Sequence, residues 1–220
     1  MFPPTCAGCN RTGFKWCPDC AKKLHLIIKP VCQICGRPIG KDGVCSLCLV
    51  NPPAYKSMRS WAIYEGPLRN ALLKLKYLRN ITIGDELAQQ VMPVLESYHW
   101  LIDCVVPIPL GKKRKEERGY NQVGMIAFSL AALAKWEYMP GALIRTRETV
   151  SQVGLSSPER KENVRDAFGC QSCVVIGKTL LLVDDITTTG ATMQEGAKAL
   201  LAGGAKEVYG FTIARADNYY

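Results

Sequence analysis

The chain has 220 residues, 11 cysteines and a formal net charge of +9. With 48% hydrophobic and 21% charged residues it can bury a core, which excludes a disordered tail, and its length suits one large domain or an ordinary one plus a small one. No apolar run approaches the roughly 18 residues of a membrane-spanning helix. The opening Met-Phe-Pro-Pro-Thr-Cys lacks the basic and apolar regions of a secretory signal, so a cytosolic protein with reduced thiols is expected.

Eight cysteines fall in four C-x-x-C pairs: Cys6/Cys9, Cys17/Cys20, Cys32/Cys35 and Cys45/Cys48. The pairs group into two similar halves, each offering four thiolates, which is the ligand set of a closed, structural zinc site. Disulfides and iron–sulfur ligation suit the compartment and the spacing less well. A segment this short and poor in large apolar residues needs metal binding to fold. Sequential ligation within each half closes shorter loops and is favoured over a crossed arrangement. Asn51-Pro52-Pro53 then reads as a linker, placing a zinc-binding domain at 1–53 and a larger domain at 54–220.

The larger domain alternates strands and helices. Ser57 to Tyr64 reads as a strand. Pro67 opens a helix with Leu68, Ala71, Leu72, Leu75 and Leu78 on one face. Ile83 to Tyr98 is a second helix, bent or divided by Pro93. Asp103 to Ile108 is a buried strand containing Cys104, and Tyr120 to Trp136 is a long helix. Thr179 to Val183, Gly190 to Ala202 and Val208 to Ala214 follow as strand, helix and strand. The alternation predicts an α/β fold with a parallel sheet covered on both faces, its ligand beyond the C-terminal strand ends. Cys170 and Cys173 form a fifth C-x-x-C, read as an inert hairpin pair, with redox chemistry or an intersubunit metal as alternatives; His25 and His99 are isolated.

The strand at 180–183 runs into Asp184-Asp185-Ile186-Thr187-Thr188-Thr189-Gly190-Ala191-Thr192. Adjacent acids at a strand end are costly without hydroxyl, cation or basic partners. Threonine hydroxyls and free N–H groups at a helix start suit a phosphate. Together they point to a phosphorylated ribose. The string resembles the motif by which type I phosphoribosyltransferases bind phosphoribosyl pyrophosphate (PRPP). The resemblance assigns Asp184 and Asp185 to the ribose hydroxyls. It assigns Thr188, Thr189, Gly190, Ala191 and Thr192 to the 5′-phosphate.

Two basic segments stand at other strand ends. Residues 110–122 carry net +3 and include Lys112, Lys113, Arg114, Lys115 and Arg118-Gly119-Tyr120-Asn121-Gln122. Residues 145–165 carry net +2 and include Arg145, Arg147, Gln152, Arg160, Asn163 and Arg165. Both read as loops, the second as a mobile lid. Arginines there suit a pyrophosphate leaving group. With eight thiolates on two Zn²⁺ ions the formal charge falls from +9 to +5, and these two segments account for most of it.

Val-Pro-Ile-Pro-Leu, Arg-Gly-Tyr-Asn-Gln, Arg-Thr-Arg and the acidic-threonine string, in this order behind the cysteine repeat, are similar to the ComF family. That resemblance implies a type I phosphoribosyltransferase fold behind an N-terminal double zinc ribbon. It implies Mg²⁺ arriving with PRPP, ribose contacts at Asp184 and Asp185, and pyrophosphate stabilisation by Arg118 and the 145–165 segment. Arg114, Gly119, Asn121, Gln122, Arg147, Gln152, Arg160 and Asn163 join it as candidate substrate-binding residues. The family includes a protein associated with DNA uptake in natural transformation, which adds single-stranded DNA and DNA-uptake proteins as candidate partners. A phosphoribosyltransferase, a PRPP-responsive protein without turnover and a DNA-binding accessory protein all fit these residues.

Overall fold

The computed structural model describes residues 3–77, 82–150, 155–171 and 174–216. Leu78, Gln152 and Cys173 lie outside the described residues.

Strands β1 (Ser57–Ile63), β2 (Cys104–Pro107), β3 (Glu137–Tyr138), β6 (Thr179–Thr187) and β7 (Glu207–Arg215) form one sheet in the order β1-β7-β6-β2-β3. Every neighbouring pair in it is parallel. Parallel strands need crossovers, and helices supply them. Helices α3 (Gly66–Tyr77), α4 (Thr82–Glu96) and α6 (Gln122–Ala134) pack on one face around Leu72, Leu87, Ile126, Leu181 and Val183. Helix α8 (Ala191–Ala202) covers the other face with Leu180, Leu182 and Leu200. The small hairpin of β4 (Leu143–Arg145) and β5 (Phe168–Cys170) lies on that face too. Along residues 180–183 of β6 the odd-numbered residues face α3 and α6, and the even-numbered ones face α8. This is an α/β core built on a parallel sheet with helices on both faces, as the alternation of strands and helices predicts. Pro93 lies inside α4, which runs on through it to Glu96.

Two charged segments read as loops contain helices. Lys112–Arg118 is α5, and Ser157–Val164 is α7. Lysine, arginine and glutamate are good helix formers, so a charge run between two glycines folds once its ends are satisfied. Gly119, at φ 78°, ends α5 in the left-handed conformation. The Glu148 carboxylate accepts the Lys112 N–H at its start. A capping box of Ser156 and Glu159 opens α7.

The cysteine-rich segment packs directly on this core. It contains short helices α1 (Pro18–Lys22) and α2 (Ser46–Val50). Cys6, Ala7, Trp16, Cys17 and Cys20 are buried in the same cluster as Leu68 and Leu72 of α3. Asn70 donates to the Gly8 carbonyl at 3.1 Å and Lys74 to the Ala7 carbonyl at 2.6 Å. The open edge of β1 is covered by the same segment. The Ile27 N–H donates to the Trp61 carbonyl at 2.9 Å, and the Met58 N–H to the Ile34 carbonyl at 2.6 Å.

Candidate functional site: two zinc ribbons and a ribose-phosphate cradle

The eight cysteines separate into Cys6/Cys9/Cys17/Cys20 and Cys32/Cys35/Cys45/Cys48, with the sulfurs of each group within 4.8 Å of one another. Ligation is therefore sequential, not crossed. The Cys6–Cys20 and Cys9–Cys17 sulfurs are 3.7 Å apart and the Cys35–Cys45 sulfurs 3.8 Å. A tetrahedron with Zn–S bonds of about 2.3 Å has edges of about 3.8 Å, so both groups have the size of a zinc site. Backbone N–H groups point at the sulfurs, from Cys17 to Cys6 and from Cys45 to Cys32, each at 3.3 Å. Burial opposes the Cys6 and Cys32 thiolates, but these and neighbouring N–H groups outweigh it and bring both thiols down to about 6. These are two structural zinc sites. Their four ligands each leave no open position for catalysis.

The second ribbon touches the sheet at β1 and at the C-terminal end of β7. Gly36, at φ 66°, lies so close to β1 that a Cβ would stand 2.4 Å from the Met58 carbonyl oxygen. Buried Arg215, ending β7, donates to the Cys35 carbonyl at 2.6 Å. The linker continues to the α8 start, where the Ala54 N–H donates to Gln194 Oε1 at 2.7 Å.

At the C-terminal end of β6 the acidic-threonine string forms a concave cradle lined by Asp184, Thr187 to Thr192 and Thr212. Gly190 caps α8 at φ 81°, the left-handed region that favours glycine. Ala191 is the first residue of α8 and is not among the positive-φ residues, so alanine costs nothing there. The Ala191 N–H donates to Thr189 Oγ1 at 3.3 Å. The loop hydroxyls and the first turn of α8 form a pocket of donors.

The two acids differ. Asp184 is on the even-numbered face and lines the cradle beside Thr212, its register partner on β7. Asp185 is on the odd-numbered face and 6% exposed. There its Oδ2 meets Lys76 Nζ at 2.7 Å and Gln122 Nε2 at 3.3 Å. Burial and the adjacent Asp185 charge push the Asp184 carboxyl well above the usual range. Burial acts on Asp185 in the same direction, but the Lys76 ammonium outweighs it and holds its carboxyl low.

The basic residues divide as well. Arg145, at the end of β4, is partly desolvated, and that burial lowers its guanidinium's pKa. It feels the charge of Asp184, and it is also close enough to be repelled by Arg114 and Arg147. Its guanidinium lies 4.9 Å from the Phe168 ring centroid and its Nε donates to the Pro109 carbonyl at 3.4 Å. Arg147 is exposed and donates to the Arg165 and Asn163 carbonyls at 2.7 and 3.2 Å. The Asn163 side chain exchanges two 3.0 Å hydrogen bonds with the Val150 backbone. Both residues thus hold the described part of the 145–165 segment together. Arg160 lies on α7.

The Arg-Gly-Tyr-Asn-Gln run is a connector. Arg118 stands 5.5 Å over the Tyr77 ring, and the Tyr120 hydroxyl donates to the Leu75 carbonyl. Asn121 caps α6 and donates to the Ile108 carbonyl at 3.0 Å. Gln122 of this run reaches an acid, Asp185. Sequence reasoning missed Lys76 and Glu148, and ranked Arg147 above Arg145. Lys76 had a signal: it extends the apolar row Leu68, Leu72 at the same four-residue spacing.

Residues 1–49 match the double zinc ribbon domain family. Over 207 residues the chain is 32% identical to the DNA utilization protein YhgH of Escherichia coli K12, covering 90% of this chain and 89% of that protein. It is 29% identical over 214 residues to the competence protein ComFC of Bacillus subtilis, covering 91% of this chain and 84% of that one. The chain belongs to the ComF family. Among solved structures, this ComF-family chain is similar to the glutamine PRPP amidotransferase of B. subtilis complexed with ADP and GMP. The identity is 20%, the TM-score is 0.44, and 64% of this chain is covered. This chain spans 30% of that enzyme. Among the described residues no helix is long and apolar enough to cross a membrane.

Proposed function

We propose that this ComF-family protein binds Mg²⁺-PRPP in the cradle between β6 and α8 and acts in the cytosol as a phosphoribosyltransferase whose acceptor is open. The observation that carries this is the junction of a half-buried acid with a phosphate-type loop. Asp184 faces the same cavity as Thr188, Thr189, Gly190 and Thr192. The 5′-phosphate would take the loop hydroxyls and the free N–H groups of α8. Asp184 would accept from a ribose hydroxyl, fixing the sugar ring.

Arg145 and Arg114 stand together near Asp184, and cations crowded in this way suit a polyanion. They would meet the pyrophosphate as it leaves ribose C1 and stabilise charge that grows in the oxocarbenium-like transition state. Mg²⁺, held mainly by substrate oxygens and water, would neutralise part of that charge, and the oxygen-rich acid end of β6 suits it. The test is pyrophosphate release from PRPP with a panel of bases and other nucleophiles. Release that depends on one acceptor supports a transferase; binding without release under every acceptor leaves a PRPP-responsive protein.

The relatives' names, DNA utilization and competence, favour a link to DNA handling. Lys112, Lys113 and Lys115 are exposed on α5, where phosphates could reach them. If they contact single-stranded DNA, replacing all three reduces the slope of log affinity against log salt by about two, at ~0.7 per phosphate contact. An unchanged slope removes α5 from any DNA site.

A further inference from the structure

The adjacent acids at the end of β6 sit on opposite faces of the sheet, and their surroundings are not alike. Asp184 opens into the cradle, among hydroxyls. Asp185 points the other way, into the angle between α3 and α6, where Lys76 and Gln122 hold it. Lys76 is itself largely buried, at 17% side-chain exposure against 9% for Asp185. Gln122 Nε2 is turned to Asp185 while Gln122 Oε1 is buried without a hydrogen-bond partner among the described residues. Gln122 thus donates to the Asp185 carboxylate although its own carbonyl is left unsatisfied, and hydrogen bonds to a charged group are stronger than those to a neutral one. We propose that the two acids divide their work: Asp184 alone meets the ribose, and Asp185, clamped by Lys76 and Gln122, is a positioning group that fixes the end of β6. The proposal rests on the PRPP reading above and deepens it.

The clamp matters to Asp184 through charge. An uncompensated Asp185 carboxylate next in sequence would repel the Asp184 carboxylate, and burial already works against it. Lys76 neutralises Asp185 from behind, leaving Asp184 free to accept a hydroxyl proton as an anion. The ion pair also fixes the strand end, because α3 and α6 reach it from two directions. Asp184 Oδ1 accepts the Asp185 N–H at 2.8 Å, so the position of one residue sets the orientation of the other.

The test is calorimetric titration of Mg²⁺-PRPP into the wild type, Asp184→Asn, Asp185→Asn, Lys76→Met and the double variant Lys76→Met/Asp185→Asn. Lys76→Met strands a buried carboxylate beside Asp184 and is expected to weaken binding by about tenfold or more through the uncompensated repulsion between the two acids. The double variant removes both charges, and the new amide can donate to Gln122 Oε1. It is expected to recover to within about threefold of the wild type, the non-additivity of a coupled pair. Asp184→Asn is expected to lose about a hundredfold, as for a charged group that touches the ligand. Stranding a buried charge also destabilises the fold, and neutralising it relieves that defect as well, so binding is scored only on protein that shows a cooperative melting transition, and the double variant decides the matter where the single one folds poorly. A double variant as impaired as Asp184→Asn would make Asp185 a ribose ligand and overturn the proposal. A wild type that gives no PRPP-dependent heat would overturn the PRPP reading itself.

Discussion

Gly36→Ala isolates the contact by which the second zinc ribbon is seated on the sheet. Gly36 has φ 66°, and an added Cβ would stand 2.4 Å from the Met58 carbonyl oxygen and 3.2 Å from Arg59 Cα. A left-handed alanine costs about 1–2 kcal/mol on conformation alone. Backbone atoms cannot turn aside as a flexible side chain can, so overpacking adds about 1–3 kcal/mol. The sum is about 2–5 kcal/mol, which in a chain of this size lowers the melting temperature by about 4–20 °C. Gly13→Ala is the control. Gly13 has φ 88° in the first ribbon with nothing within 4 Å of the added Cβ, so only the conformational cost applies. Thermal unfolding of the zinc-loaded proteins, with chelator-driven zinc release alongside, reads both effects. Gly36→Ala should fall clearly further than Gly13→Ala and release its second zinc sooner. Equal losses would show that the ribbon is not held against β1 as described.

Zinc content should be two per chain, as two four-sulfur groups require, and replacing Cys35 should remove one ion of the two; one zinc in the wild type would contradict the two-site account. Asp184 predicts a pH effect on the ligand-free protein. Its carboxyl is raised above the unfolded value near 3.8, so between those values the folded state holds more protons and stability falls as pH rises. Asp184→Asn lacks this penalty. Its melting temperature should match the wild type near about pH 4 and exceed it at about pH 8, and a variant less stable at both would refute the assignment. Asp185 has the opposite sign. Its lowered carboxyl gives stability above its unfolded value that is lost as pH falls, so Asp185→Asn should destabilise most at neutral pH.

What the sequence disclosed follows from how local each signal is. Four C-x-x-C pairs state their ligands outright, because two sulfurs three residues apart share one turn. The acid-threonine string is equally local, since strand, acids, hydroxyls and helix start are consecutive. The alternation of strands and helices was legible from periodicity. The partners of Asp185 were not, because Lys76 and Gln122 come from α3 and α6, and only the folded sheet brings them to β6. Lys76 was hidden further by lying in a run with Lys74, which serves the first ribbon. The 112–118 segment was misread as a loop because its helix depends on Glu148, a cap 36 residues away. Arg145 and Arg147 are indistinguishable in sequence. Burial beside Phe168 separates the one near Asp184 from the one that holds its own segment.

The central claim is that the cradle beyond β6 takes PRPP and that Asp184 reads its ribose. Calorimetric titration with Mg²⁺-PRPP at fixed pH and salt tests it most directly. The account predicts saturable binding at one PRPP per chain in the wild type and an affinity about a hundredfold weaker in Asp184→Asn. No binding in the wild type, or undiminished binding in Asp184→Asn, would contradict it.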